Sequence, residues 1–269
     1  MAIRIEKDGY VTTVIHSRPE ARNAMDPDSA DALVDAFTAF EADDSAHVAV
    51  LWGEGGSFCA GWDLKFVSSL SPVTLEHDLA FPEQDPPDVN AVPRGPLGPT
   101  RLELSKPVIA AIAGPAVAGG MELALWCDIR IMEKDAYLGV YCRRWGVPLI
   151  DGGTVRLPRL VGQGRALEII LTGRKVMAEE CLTIGACESV VSNGESRTAA
   201  ETMAQGIARF PQVCVRADRR SAIRQHGKTV REAMKYEWEN GQSPMHEEAV
   251  EGATRFSRGL GRHGDYERI

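Results

Sequence analysis

The stretch that most constrains the fold runs from Pro107 to Trp126: twenty residues, nearly all apolar or small, with one charge, Glu122. An apolar run of that length is enough to cross a bilayer as a helix. Gly114-Pro115 and Gly119-Gly120 interrupt it, however, and a carboxylate in lipid is costly. A buried strand over Val108–Ala113, a Gly-rich loop and a buried helix over Met121–Cys127 use the same residues without a membrane. The rest of the chain must then cover both elements.

A chain of 269 residues can do so, since at this size roughly 70–75% of the extended surface is buried on folding. Ile3–Glu6 and Val11–Ile15 flank Asp8-Gly9, a hairpin signal. From Pro27 to Phe40 the apolar residues Leu33, Val34, Phe37 and Phe40 keep a helical period, with Asp26 as N-cap. Val48–Trp52 reads as a buried strand, and a short helix starts near Asp63. Residues 82–99 are proline-rich and read as a loop, an excursion over a site. Ile129–Met132 and Tyr137–Val140 read as further strand, and from Gly152 onward the pattern is mostly helical. These spacings predict an α/β core followed by a helical tail.

The net charge of −8 argues against a general nucleic-acid binder, which needs a basic surface for phosphates. Six scattered cysteines without a CxxC pair read as reduced thiols of a cytoplasmic protein. The start alternates apolar and charged residues, so it predicts a first strand and not a signal peptide. No HExxH or HxH spacing supports a metal site. In the tail, seven basic residues lie between Arg209 and Arg231, and six Glu follow over 232–251. Two helices pairing their charges, within or between subunits, is the plainer reading. Arginines meeting a phosphorylated ligand is the sharper one.

Two segments stand out for chemistry. After one strand comes Phe58-Cys59-Ala60-Gly61-Trp62-Asp63, and after the other Gly114-Pro115-Ala116-Val117-Ala118-Gly119-Gly120. Small residues where a strand hands over to a helix leave backbone N–H groups unpaired, and two such donors converging would hold an oxyanion. The rival reading is that these residues only permit tight packing. Glu122, in the first turn of an otherwise apolar helix, shifts the balance: a buried carboxyl with a raised pKa suits proton transfer beside a carbonyl. Asp151, where a loop enters a helix, is a further candidate, with helix capping as its alternative.

Arg18-Pro19-Glu20-Ala21-Arg22-Asn23-Ala24, the Gly55–Leu64 segment, Lys106 through Asp128, and Gly152-Gly153-Thr154 together resemble the crotonase (enoyl-CoA hydratase/isomerase) superfamily across nearly the whole chain. The resemblance implies a core of repeated ββα units over residues 1–195. It also implies a helical region over 196–269 that trimerises, giving a homotrimer or hexamer. Acyl-CoA thioesters would be the substrates, with no metal or other cofactor. It places the oxyanion amides on Ala60 and Gly119, and the first catalytic glutamate on Glu122. Ala21, Arg22, Gly61, Trp62 and Asp63 match the stretch that lines the CoA site, with Ala60 and Gly119 also touching substrate. Trp62 departs from the small residue usual at its position and would reshape the pocket mouth.

Cys142 falls where the family carries its second catalytic glutamate, while Asp151 matches a position that is acidic in the dienoyl-CoA isomerase branch. The expectation is therefore an acyl-CoA enzyme, hydratase or isomerase, acting through a thioester enolate with Glu122, joined by Asp151. A catalytically weak acyl-CoA-binding paralogue is the alternative that the missing glutamate motivates.

Overall fold

The computed structural model describes residues 2–71, 79–84 and 86–264, so residue 85 of the expected loop and the end of the tail lie outside the described residues. Strands β1 (Ile3–Asp8) and β2 (Val11–His16) form the hairpin around Gly9, whose φ of 57° suits glycine. Helix α1 (Pro27–Ala42) follows, and the Asp26 carboxylate accepts from the Ser29 amide at 2.9 Å, as the N-cap reading requires. Strands β3 (Val48–Gly53) and β4 (Val108–Ile112) come next, with the one-turn helix α2 (Leu64–Val67) between them. Then follow β5 (Pro115–Val117), α3 (Gly119–Trp126), β6 (Ile129–Glu133) and β7 (Tyr137–Gly139).

Helices α4 (Gly153–Val161) and α5 (Gln163–Thr172), strand β8 (Lys175–Met177), helix α6 (Ala178–Ile184) and strand β9 (Ser189–Val191) complete the core region. The tail carries α7 (Ser196–Ala208), α8 (Gln212–Arg224), α9 (Val230–Pro244) and α10 (Val250–Ser257).

One sheet has the order β1-β2-β3-β4-β6-β9, parallel except for the first hairpin. A smaller sheet, β5-β7-β8, stands against it. Side chains of the central strands alternate between two cores. Ala49, Leu51, Ala110 and Ile112 face the core shared with α1 and α3, whereas Val48, Val50, Ile109 and Ala111 face the other. That second face is covered by Ala200, Ala204 and Ala208 of α7, so the first tail helix is part of the packed core.

Three sequence expectations change. Pro115–Val117 is a strand inside the Gly-rich loop, too short to show a period of its own. Tyr137–Gly139 joins the small sheet and not the large one, and two three-residue strands punctuate the helical second half. Within the chain, the basic helix α8 pairs with the core rather than with the acidic run after it: Arg219 meets Asp128 at 2.9 Å and Arg224 meets Glu103 at 3.0 Å. Glu248 instead accepts from the Val213 and Cys214 amides at the start of α8. Among the described residues no helix is long and apolar enough to cross a membrane.

Candidate active site

The turns that leave β3 and β4 are bound to one another. The Cys59 amide donates to the Pro115 carbonyl at 3.2 Å, and the Val117 amide donates to the Cys59 carbonyl at 3.0 Å. Small residues make this approach possible. A Cβ on Gly120 would lie 2.0 Å from the Cys59 carbonyl oxygen, and one on Gly61 would lie 2.8 Å from the Ala118 Cβ. Packing thus explains some of these glycines. Asn23, fully buried, braces the first turn by donating to the Glu54 and Ser57 carbonyls at 2.8 and 2.7 Å.

Packing does not explain the two amides left over. Ala118 sits at φ 53°, ψ −126°, a conformation that costs a non-glycine residue about 1–3 kcal/mol and concentrates at functional sites. It swings the chain into α3, so the Gly119 amide opens that helix with no intrahelical acceptor. The partner donor differs from expectation. The Ala60 amide is spent within the chain, donating to the Arg22 carbonyl at 3.1 Å. Two residues on, Met25 bonds the Gly61 carbonyl and the Asp63 amide along one edge of the segment, which turns the Trp62 N–H to the opposite edge. Among the described residues neither the Trp62 nor the Gly119 amide has an acceptor, and both residues line one cleft. Trp62 therefore replaces Ala60 as the available donor, a shift of two residues that only the hydrogen bonding exposes.

The same cleft holds Ala60, Glu122, Cys142 and Asp151, with Leu64, Tyr141, Trp145 and Ile150 contributing an apolar wall. Glu122 is 2% exposed. Its Oε1 accepts from the Asp151 amide at 3.0 Å and the Gly153 amide at 2.8 Å, leaving Oε2 without a partner among the described residues. Burial first, and the Asp151 charge second, push its pKa up to about 7, against the pull of the two amides. A Cβ at position 153 would meet the Glu122 Cγ at 2.9 Å, so this turn needs glycine.

Asp151 is 3% exposed. Its Oδ1 accepts from the Leu97 amide at 3.2 Å and from the Thr100 hydroxyl, and Oδ2 is free among the described residues. The N-cap of α4 is Gly152 with no side-chain bond, so Asp151 does not cap its helix. Burial raises its pKa, opposed by those hydrogen bonds and by Arg101 and Arg156. Cys142, in the short helical turn Tyr141–Trp145, is buried, and burial with the Glu122 charge pushes its thiol up. It is a protonated thiol beside the glutamate.

Ala21, Arg22, Gly61 and Asp63 do not line this cleft. The Asp63 carboxylate caps α2 through the Lys65 amide at 3.0 Å and pairs with Arg18 at 3.4 Å, while Arg22 is exposed near the mouth turn. Sequence reasoning missed Thr100, the Leu97 amide and Arg156. The proline-rich loop was the available signal, since Pro96 and Leu97 do reach the cleft. Among the described residues no cluster of three or more His, Cys, Asp or Glu could hold a metal ion.

The family model described as enoyl-CoA hydratase/isomerase matches residues 6–260. The chain is 31% identical over 254 residues to the enoyl-CoA hydratase EchA19 of Mycobacterium tuberculosis, covering 94% of this chain and 92% of the relative. It is 34% identical over 224 residues to the (E)-benzylidenesuccinyl-CoA hydratase of Thauera aromatica, covering 83% and 82%. The crystal structure of an enoyl-CoA hydratase from Bacillus anthracis superposes with a TM-score of 0.85 at 28% identity, covering 96% of each chain.

Proposed function

The chain belongs to the enoyl-CoA hydratase/isomerase family, and from that premise we propose that it moves protons at the α-carbon of an acyl-CoA thioester, as a hydratase or double-bond isomerase. The Trp62 and Gly119 amides hold the thioester oxygen as it becomes an enolate, with backbone donors fixed in place before reaction. Glu122 is the principal acid/base, and Asp151 is the second carboxyl. In hydration, a water proton passes to one carboxylate as the oxygen adds to Cβ, and a carboxyl delivers a proton to Cα. Isomerisation needs only removal of a proton from one carbon and its return to another.

The observation that carries this reading is the pair of buried carboxyls, each with one oxygen pinned by the protein and the other free in a cleft with two unpartnered amides. Coenzyme A arrives with the substrate, against the turns that carry Ala21, Arg22 and Ala60–Asp63, and no further cofactor takes part. A homotrimer or hexamer is the proposed assembly, because Val230, Met234, Trp238 and Phe256 leave an apolar surface on α9 and α10.

A panel of 2-enoyl-CoA thioesters, followed by loss of the enoyl absorbance or by double-bond migration, tests the proposal. Turnover that disappears in Glu122→Gln supports it. A second reading, an acyl-CoA binder with little activity, draws on Cys142 standing where a second carboxyl is expected from the family. Tight binding of every thioester with turnover of none would favour that reading.

A further inference from the structure

The second carboxyl is built differently from the first. Glu122 is held by backbone amides alone, but Asp151 depends on a side chain from another segment. Thr100 lies in the short turn Pro99–Arg101 that closes the proline-rich loop, and it is 2% exposed. Its hydroxyl donates to Oδ1 of Asp151, the same oxygen that the Leu97 amide reaches at 3.2 Å. The contact is enforced from two sides. Arg156 donates to the Asp151 carbonyl at 2.9 Å and to the Thr100 carbonyl at 2.8 Å, clamping the two backbones together. Gly95 lets them close, because a Cβ there would lie 2.1 Å from Oδ1 and 2.6 Å from the Thr100 hydroxyl oxygen.

We propose that Thr100 is a positioning residue for proton transfer, holding Oδ1 of Asp151 so that Oδ2, which has no partner among the described residues, is the oxygen that gains and loses the proton. This rests on the assignment of Asp151 as the second acid. Two donors on one carboxylate oxygen leave the other as the more basic site and fix the plane of the group. The charged and titratable groups around Asp151 are Glu122 from α3, Arg101 from the loop turn, Arg156 from α4 and the protonated thiol of Cys59. None of them bonds the carboxyl oxygens, so Thr100 supplies the only side-chain hydrogen bond to that group among the described residues.

The test reads Asp151 directly in the ligand-free protein. The carboxyl carbon of Asp151 is followed by NMR through a pH titration of 13C-aspartate-labelled protein, its signal assigned by its loss in Asp151→Asn. Thr100→Val keeps the shape and removes the hydroxyl, so the Asp151 midpoint should rise by about one pH unit, a tenfold change in its acid constant. Thr100→Ser should return the midpoint to its original position, and Thr100→Ala should repeat the valine result should valine disturb folding. A merely structural threonine would change thermal stability and leave the titration in place. Coincident curves for wild type and the hydroxyl-free variants would overturn the proposal. Full turnover by Asp151→Asn would instead remove Asp151 from the reaction while leaving the titration result standing, so the two failures are distinct.

Discussion

Replacing Glu122 by glutamine should make the protein slower and, above neutral pH, more stable. The glutamine carbonyl can still accept from the Asp151 and Gly153 amides that hold Oε1, so the turn survives. What disappears is the proton. Turnover should fall by about 10²–10⁴, the usual share of a positioned acid/base. The stability side follows from linkage. The folded-state pKa is about 7 against 4.5 for an ordinary glutamate, so the folded protein holds more protons between those values. Stability is therefore lost as pH rises through that window, and the full loss above it is roughly 3 kcal/mol at about 1.4 kcal/mol per pH unit.

Burying the amide has its own cost, but that cost does not depend on pH. The decisive quantity is the variant-minus-wild-type difference in unfolding free energy at pH 9 compared with pH 5. It should grow by roughly 2–3 kcal/mol in favour of glutamine. Urea denaturation at one protein concentration measures it, since oligomers change apparent stability with concentration. An identical difference at both pH values would refute the buried-carboxyl argument, and undiminished turnover would remove Glu122 from the chemistry.

Asp151→Asn should lower turnover at least about tenfold in a protein that still folds, because the asparagine carbonyl can accept from the Leu97 amide and the Thr100 hydroxyl as the carboxylate does; wild-type rates on the best enoyl-CoA would contradict this. Wild-type hydration of crotonyl-CoA should be slow and Cys142→Glu should raise it, as a protonated thiol cannot orient water as a carboxylate does. Wild-type rates near the diffusional ceiling, about 10⁸ M⁻¹s⁻¹, would defeat the reasoning. Sedimentation should give a trimer or hexamer. Truncation at Ser196 should give insoluble protein by stripping Ala200, Ala204 and Ala208 from the sheet, and a soluble monomer in either experiment would count against the assembly.

Most of the core was legible because its signals are local. Alternation, the Asp-Gly turn and the Asp26 cap fix β1, β2 and α1 to within two residues. Glu122 was legible for a different reason: a lone carboxylate in an apolar run must be buried and must therefore be special. The second unpartnered amide was not. Whether the Ala60 or the Trp62 amide is free depends on which one the Arg22 carbonyl occupies, a contact across 38 positions that no spacing encodes. That Asp151 does not cap its helix was hidden for the same reason, since its carboxylate is taken up by Thr100 and Leu97 from a loop fifty residues upstream. Pro115–Val117, Lys175–Met177 and Ser189–Val191 escaped because a period of two hardly registers in three residues.

The turn at 151–153 joins the two carboxyls into one device. Its amides at Asp151 and Gly153 hold Oε1 of Glu122, and the Asp151 side chain presents the second carboxyl from the same three residues. Burial raises the cost of charging both groups, and the Asp151 charge adds to that cost at Glu122. A buried carboxyl whose pKa is pushed up to about 7 can give up its proton as an acid and take one back as a base. Cys142 contributes no charge to this balance, because its thiol stays protonated. The turn that positions Glu122 thus brings a second buried carboxyl beside it, while position 142 keeps a thiol that cannot orient water as a carboxylate does. Any change that shifts this turn moves both groups at once, whereas a change at Thr100 acts on Asp151 and leaves the amides at Glu122 in place.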